Sequence, residues 1–139
     1  MVTMSDFNTA VIEEFRANEG KVGGPFTGAT LLLLHHTGAK SGQARVNPLA
    51  YLKVGDAYAI FASKAGAPTD PDWYHNLLAH PETTVEVGTK TIPVRARVAD
   101  PAEREEIYAR QVERAPQFGE YVKKAAPRVI PVVILDPII

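Results

Sequence analysis

Six short apolar runs, joined mostly by tight turns and only in places by a helix, restrict the fold of this chain more than any other feature. "ATLLLLHHT" (29–37) breaks into the turn "GAKSGQ", and "ARVNPLAYLKV" (44–54) follows. Gly55 and Asp56 make a two-residue hairpin into "AYAIFAS" (57–63). "TTVEVG" and "KTIPVRARVA" pair around Gly88, and "RVIPVVILDP" closes the chain as a buried strand. Because the strands do not alternate one for one with helices, a doubly wound parallel sheet is disfavoured. An antiparallel barrel of about six strands with peripheral helices fits the order, an α+β chain that is mainly β. Pro48 has no amide proton for a ladder, so the second run must place it at an edge or a bulge.

Helices fill the gaps. Residues 1–20 hold "SDFNTAVIEEFRAN", an amphipathic stretch that Ser5 or Asp6 can cap, with Phe7, Val11, Ile12 and Phe15 on one stripe. Covering the core is its first reading; lying on a membrane or over a ligand cleft is the second. In "DPDWYHNLLAHP" (70–81), Asp70 is expected to cap, Pro71 to occupy the first turn and Pro81 to follow the end. "DPAEREEIYARQVERA" starts with Asp100 as cap, then Pro101, with Glu103 completing a capping-box pattern. "PQFGEYVKKAAP" reads as a short helical or irregular piece. Together the 139 residues are expected to form one domain, long enough to bury a core without covalent staples.

Several classes of function drop out. Without cysteine there are no disulfides, no thiolate catalysis and no cysteine-held metal, which fits a reducing cytoplasm. The apolar runs are shorter than a membrane span, and the polar start carrying Asp6 does not read as a signal peptide. A net charge of −1 argues against a nucleic-acid partner. His35 and His36 are neighbours on a strand and point to opposite faces, and His75 and His80 diverge on a short helix, so no metal site is expected. No G-x-S-x-G elbow supports hydrolysis.

Charge distribution says more than the total. Residues 20–55 contain no Asp or Glu but do contain Lys21, Lys40, Arg45 and Lys53, which suits an anion-facing surface. In the turn, glycines let backbone amides converge, while Lys40 and Arg45 add charge-assisted donors; the spacing is not that of a Walker loop, and a plain polar turn is the competing reading. Ser63 and Lys64 lie where a strand runs into the glycine-containing loop "KAGAPTD". Trp73, the only tryptophan, and Asn76 are three apart on a helix and can face one cleft, although a tryptophan so placed is more often core. Taken together these pieces suit a planar aromatic ligand with an anionic tail.

The combination T-G-x-K-S-G-x-x-R-x-x-P, A-S-K and W-Y-x-N, with "VIEEFRANEGKVGGPFTG" before it and "RVIPVVIL" after it, resembles the deazaflavin-dependent nitroreductase and quinone reductase family of actinobacteria. The resemblance runs over nearly the whole chain. It implies an FMN-binding-like split β-barrel and, as cofactor, coenzyme F420, an 8-hydroxy-5-deazaflavin with a phosphodiester and a poly-glutamate tail. It further implies that Lys40, Ser41 and Arg45 hold the anionic part, and that Pro48, Ala62, Ser63, Lys64, Trp73 and Asn76 line the ring. The acceptors would be quinones, nitroaromatics or unsaturated lactones. Hydride transfer is expected, with Ser63 donating to the acceptor oxygen and Tyr121 or water supplying a proton. The chain departs from the family pattern in "APQFGEYVKK", where Phe118 and Tyr121 leave few hydroxyls, and at Ala50, where an aromatic can occur. An FMN enzyme driven by NAD(P)H and a non-catalytic pigment carrier are the alternatives. The expected setting is the cytoplasm, with peripheral contact at the inner face of the plasma membrane through the first helix left open, as are monomer and homodimer.

Overall fold

The computed structural model describes residues 4–21 and 30–138, with the side chains of residues 4–7 outside that set. The expected caps Ser5 and Asp6 and the stripe position Phe7 therefore lie outside the described side chains. The elements are α1 (Met4–Ala17), β1 (Leu31–Thr37), β2 (Ala44–Val54), β3 (Ala57–Phe61), α2 (Asp72–Ala79), β4 (Glu82–Val87), β5 (Lys90–Val98), α3 (Pro101–Arg114), α4 (Gln117–Ala125) and β6 (Val132–Pro137), with a 3-10 turn at Lys64–Gly66 between β3 and α2. Among the described residues six strands close into a barrel in the order β1-β2-β3-β6-β5-β4, every neighbouring pair antiparallel.

The run of four leucines in β1 does not alternate with polar residues because both of its faces are covered. Leu32 and Leu34 join Ile60, Val85, Val94, Val133 and Leu135 in the barrel interior. Leu31 and Leu33 pack outside against Val11 and Phe15 of α1. The stripe of α1 is thus occupied by the barrel, which bears out the core-covering reading of that helix. A third cluster lies where α3 and α4, through Ile107, Tyr108, Phe118 and Ala125, cover the outer face of β3 and β6. Fully burying an aliphatic side chain of this size contributes about 1.5–3 kcal/mol before chain entropy is counted.

Pro48 sits opposite Leu33 of β1, whereas β3 pairs with β2 only along residues 51–54. The missing donor therefore faces a stretch of β2 with no strand on that side, a local edge inside a closed barrel. Asp100 caps α3 as expected, accepting from the Glu103 amide at 2.8 Å. The reciprocal half of the capping box is not made, because the Glu103 carboxylate takes the Arg97 guanidinium at 2.9 Å instead. Asp70 does not cap α2: Pro71 stands at the cap position without a side-chain bond, and the Asp70 carboxylate accepts from Arg128 at 2.7 Å. A nearby guanidinium outcompeted a set of helix amides for that carboxylate.

Candidate functional site

The turn between β1 and β2 is built by local bonds. The Gly38 amide donates to the Gln43 carbonyl at 2.9 Å, the Gly42 amide to the Gly38 carbonyl at 2.9 Å, and Ser41 Oγ accepts from the Gln43 amide at 3.2 Å. Gly42 takes φ of +71°, a conformation that side chains with a Cβ rarely adopt. The turn is then tied to α2. Asn76 Oδ1 accepts from the Ala39 amide at 2.9 Å, and Asn76 Nδ2 donates to His36 Nδ1 at 3.0 Å. Since an amide nitrogen can only donate, Nδ1 is the acceptor, and His36 Nε2 carries the proton it gives to Asn47 Oδ1 at 2.6 Å. Both ring nitrogens are engaged in the neutral form, and burial holds the His36 pKa below the usual histidine range.

His35 turns to the other face, as the strand geometry requires, and meets Glu86 at 2.7 Å. Arg16 of α1 reaches the same carboxylate at 2.7 Å, and its hydrogen bond holds the Glu86 pKa below the ordinary value. Among the described residues no group of three or more His, Asp or Glu side chains is arranged to hold a metal ion.

Two adjoining cavities line the side of α2 that carries these bonds. One, about 560 Å³, is walled by Lys40, Ser41, Arg45, Asp72, His75 and Asn76. The other, about 220 Å³, is walled by His36, Arg45, Asn47, Lys64, Asp72 and Trp73. Sharing Arg45 and Asp72, they form one groove with cations along it and the tryptophan at its inner end. The segment free of acids in sequence is not free of them in space: Asp72 Oδ2 lies 3.8 Å from Arg45 Nη1. That carboxylate is 82% exposed, so the pairing is weak and yields readily to a more highly charged anion.

Of the residues singled out from sequence, Lys40, Ser41, Arg45, Lys64, Trp73 and Asn76 come together on this groove. Trp73 is both wall and core, only 6% exposed and packed into the barrel cluster. Ala62 and Ser63 are buried at the end of β3, Pro48 is half-buried on β2, and none of the three lines either cavity. Tyr121 lies on α4 with its ring edge against Phe118, centroids 5.2 Å apart, and its carbonyl close to Gly66 of the 3-10 turn. Tyr108 donates to the Phe118 carbonyl at 2.7 Å, and burial pushes its hydroxyl pKa up to about 12. A larger cavity, about 730 Å³, is at the other barrel mouth around Tyr51, Tyr58, Lys21 and Lys90, and is lined by none of the candidate site residues.

His36, Asn47, Asp72 and Arg128 also belong to the site or its support, and the sequence did not single them out for it. For His36 the signal was present, a histidine on the inward-facing register of β1, but the adjacent His35 suggested only a failed metal pair. Arg128, one arginine in "APRVIP", carries no local signal, because its partners are 58 to 66 residues away.

The chain is similar over most of its length to known proteins. A family model described as F420H2-dependent quinone reductase matches residues 8–137. An F420H2-dependent quinone reductase of Mycobacterium tuberculosis is 41% identical over 127 residues, 87% of this chain and 83% of that protein. A solved F420H2-dependent reductase, FDR-A, superimposes with a TM-score of 0.70 at 40% identity, covering 77% of this chain and 94% of its own. Another solved structure, described as a domain-swapped dimer, gives a TM-score of 0.72 at 35% identity, with 96% of this chain and all of the other covered.

Proposed function

Because the chain belongs to the F420H2-dependent quinone reductase family, we propose that the groove between the 38–43 turn and α2 is where it holds its coenzyme. The protein is an oxidoreductase that depends on reduced coenzyme F420 and acts on an electron-poor acceptor. A planar tricycle with a long anionic pendant makes two demands. It needs a row of cations open to solvent and a flat apolar wall at the inner end. Lys40, Arg45 and Lys64 meet the first, with Arg45 45% exposed and, among the described residues, paired with an exposed carboxylate. Trp73 meets the second.

Bound there, the reduced deazaflavin supplies a hydride equivalent to the acceptor. The protein's own part is orientation and charge. Lys40, Arg45 and the turn around Ser41 grip the phosphate or acidic tail, and Trp73 flanks the ring with Lys64 beside it; Pro48 and Ala62, which line neither cavity, are given no contact with it. Asn76 orients the cradle through Ala39 and His36, with one amide hydrogen left over for a ligand. Ser63, buried next to Lys64 of the groove wall, is assigned the stabilisation of the negative charge that develops on the acceptor oxygen, which requires the acceptor to reach it past the groove. Tyr121, or water, would supply the proton that the reduced acceptor oxygen takes up. A quinone suits this chemistry, as two carbonyl oxygens on a planar ring offer one site for charge and one flat face.

The observation that carries the reading is the joining of both cavities through Arg45 beside a buried tryptophan. The test is an anaerobic titration of Trp73 fluorescence with the coenzyme, followed by mixing with menadione. Quenching and reoxidation of the deazaflavin are expected. Turnover with FMN and NAD(P)H in its place, or binding without turnover, would refute the assignment.

A further inference from the structure

The loop from Ala62 to Asp70 carries Ser63 and Lys64 and has three bonds of its own, from the Gly66 amide to the Ser63 carbonyl at 2.9 Å, from the Ala67 amide to the Lys64 carbonyl at 3.0 Å and from Lys64 Nζ to Thr69 Oγ1 at 3.3 Å. Lys64 and Ala65 have φ of +47° and +52°, in the left-handed region that residues with a Cβ avoid unless something fixes them there. The larger set of bonds to the loop comes from Arg128, distant in sequence. Arg128 Nε donates to the Ala67 carbonyl at 3.0 Å. Nη1 donates to the Ala62 carbonyl at 3.1 Å and to Asp70 at 2.7 Å. Nη2 donates to the carbonyls of Ser63 and Ala67, both at 2.8 Å. A guanidinium has five N–H donors, and all five are engaged.

Two of those acceptors decide the matter. The Ala62 carbonyl belongs to the peptide plane before the Ser63 Cα, and the Ser63 carbonyl to the plane after it. With both planes pinned by one rigid, planar group, φ and ψ of Ser63 are fixed, and with them the direction of the bond to Cβ. The side chain of Arg128 is only 12% exposed, so the clamp is little weakened by water. Lysine has three donors on a flexible stem and cannot hold the same set.

We propose that Arg128 is a positioning residue for the reduction: it aims the Ser63 hydroxyl, and its effect on rate passes through that hydroxyl. The assignment rests on the role given to Ser63 above. Misplacing a reacting group by about 1 Å costs about 100-fold in rate, and loss of a single oxyanion donor costs about 100-fold or more.

A double-mutant cycle on the full chain tests it, reading the single-turnover rate of deazaflavin oxidation by menadione, with coenzyme affinity read separately from Trp73 fluorescence. Ser63→Ala and Arg128→Ala are each expected to slow the step by about 100-fold. The double variant is expected to be no more than about 3-fold slower than either single one, because a group that acts through another has nothing left to act on. Arg128→Lys should recover part of the rate, and it carries the same cycle if Arg128→Ala does not fold. Multiplying losses, about 10,000-fold in the double variant, would overturn the positioning assignment while leaving Ser63 its role. Ser63→Ala at the parent rate would remove that role and this assignment together, with the binding role of Lys40 and Arg45 judged separately by affinity.

Discussion

Lys40 and Lys53 are both exposed cations of the acid-free segment, but they stand at opposite ends of the barrel. Lys40 lines the groove, whereas Lys53 Nζ lies 4.6 Å over the Tyr58 ring at the other mouth. Removing a charge-assisted contact to a phosphate or carboxylate weakens binding by about 10- to 100-fold. Lys40→Ala should therefore raise the coenzyme's Kd by that factor in the fluorescence titration, and Lys53→Ala should leave it in place. His36 yields a prediction of a different kind. Its folded pKa lies below the value of about 6.5 in an unfolded chain. As pH falls through about 6.5 the unfolded chain takes up the proton first, so stability is lost on going down and is complete above that value. The thermal midpoint should fall between about pH 7 and about pH 5.5, and His36→Leu should flatten that slope. A proton on Nδ1 would also displace Asn76 and loosen Ala39, so coenzyme affinity should weaken at lower pH than the onset of the stability loss, where the folded protein itself takes up the proton. Lys40, Arg45 and Trp73 were legible in the sequence because spacing within a turn or a helix announces them. Asp72 beside Arg45 was not, since only folding brings α2 to the turn.

Elements show where local rules suffice and where tertiary partners override them. Asp100 caps α3 as its spacing requires, and Asp100→Ala should cost about 1 kcal/mol in urea unfolding. Asp70, with the same Asp-Pro signature, serves Arg128 instead, and no window of a dozen residues contains the reason. The 3-10 turn at Lys64–Gly66 is the element on which the site turns. Gly66 has φ of +83°, and a Cβ there would come within 2.8 Å of Lys124 Cβ and 3.1 Å of the Tyr121 carbonyl. Gly66→Ala should cost about 1–3 kcal/mol and slow turnover by shifting the loop away from α4. A variant with an unchanged unfolding midpoint and rate would show that the turn is not packed as described.

The barrel order was legible because hairpin spacing fixes which strands pair first, and because proline, glycine and the apolar runs mark where each begins. What the pattern alone did not supply was which strands close the barrel: β6 between β3 and β5, and the short seam of Leu33 and Leu34 against Glu86 and Val85 that joins β1 to β4. α1 braces that seam, with Phe15 1% exposed beneath it and Arg16 reaching Glu86 across it. Phe15→Ala should cost about 3–5 kcal/mol, measurable as a lowered urea midpoint. The position of β6 also bears on how the protein is made. Until the last strand has left the ribosome, β3 and β5 each present a bare row of amides and carbonyls, and the guanidinium that shapes the 62–70 loop has only just been added. A chain cut short before β6 is therefore a pair of sticky ribbons, with neither a closed barrel nor a shaped 62–70 loop.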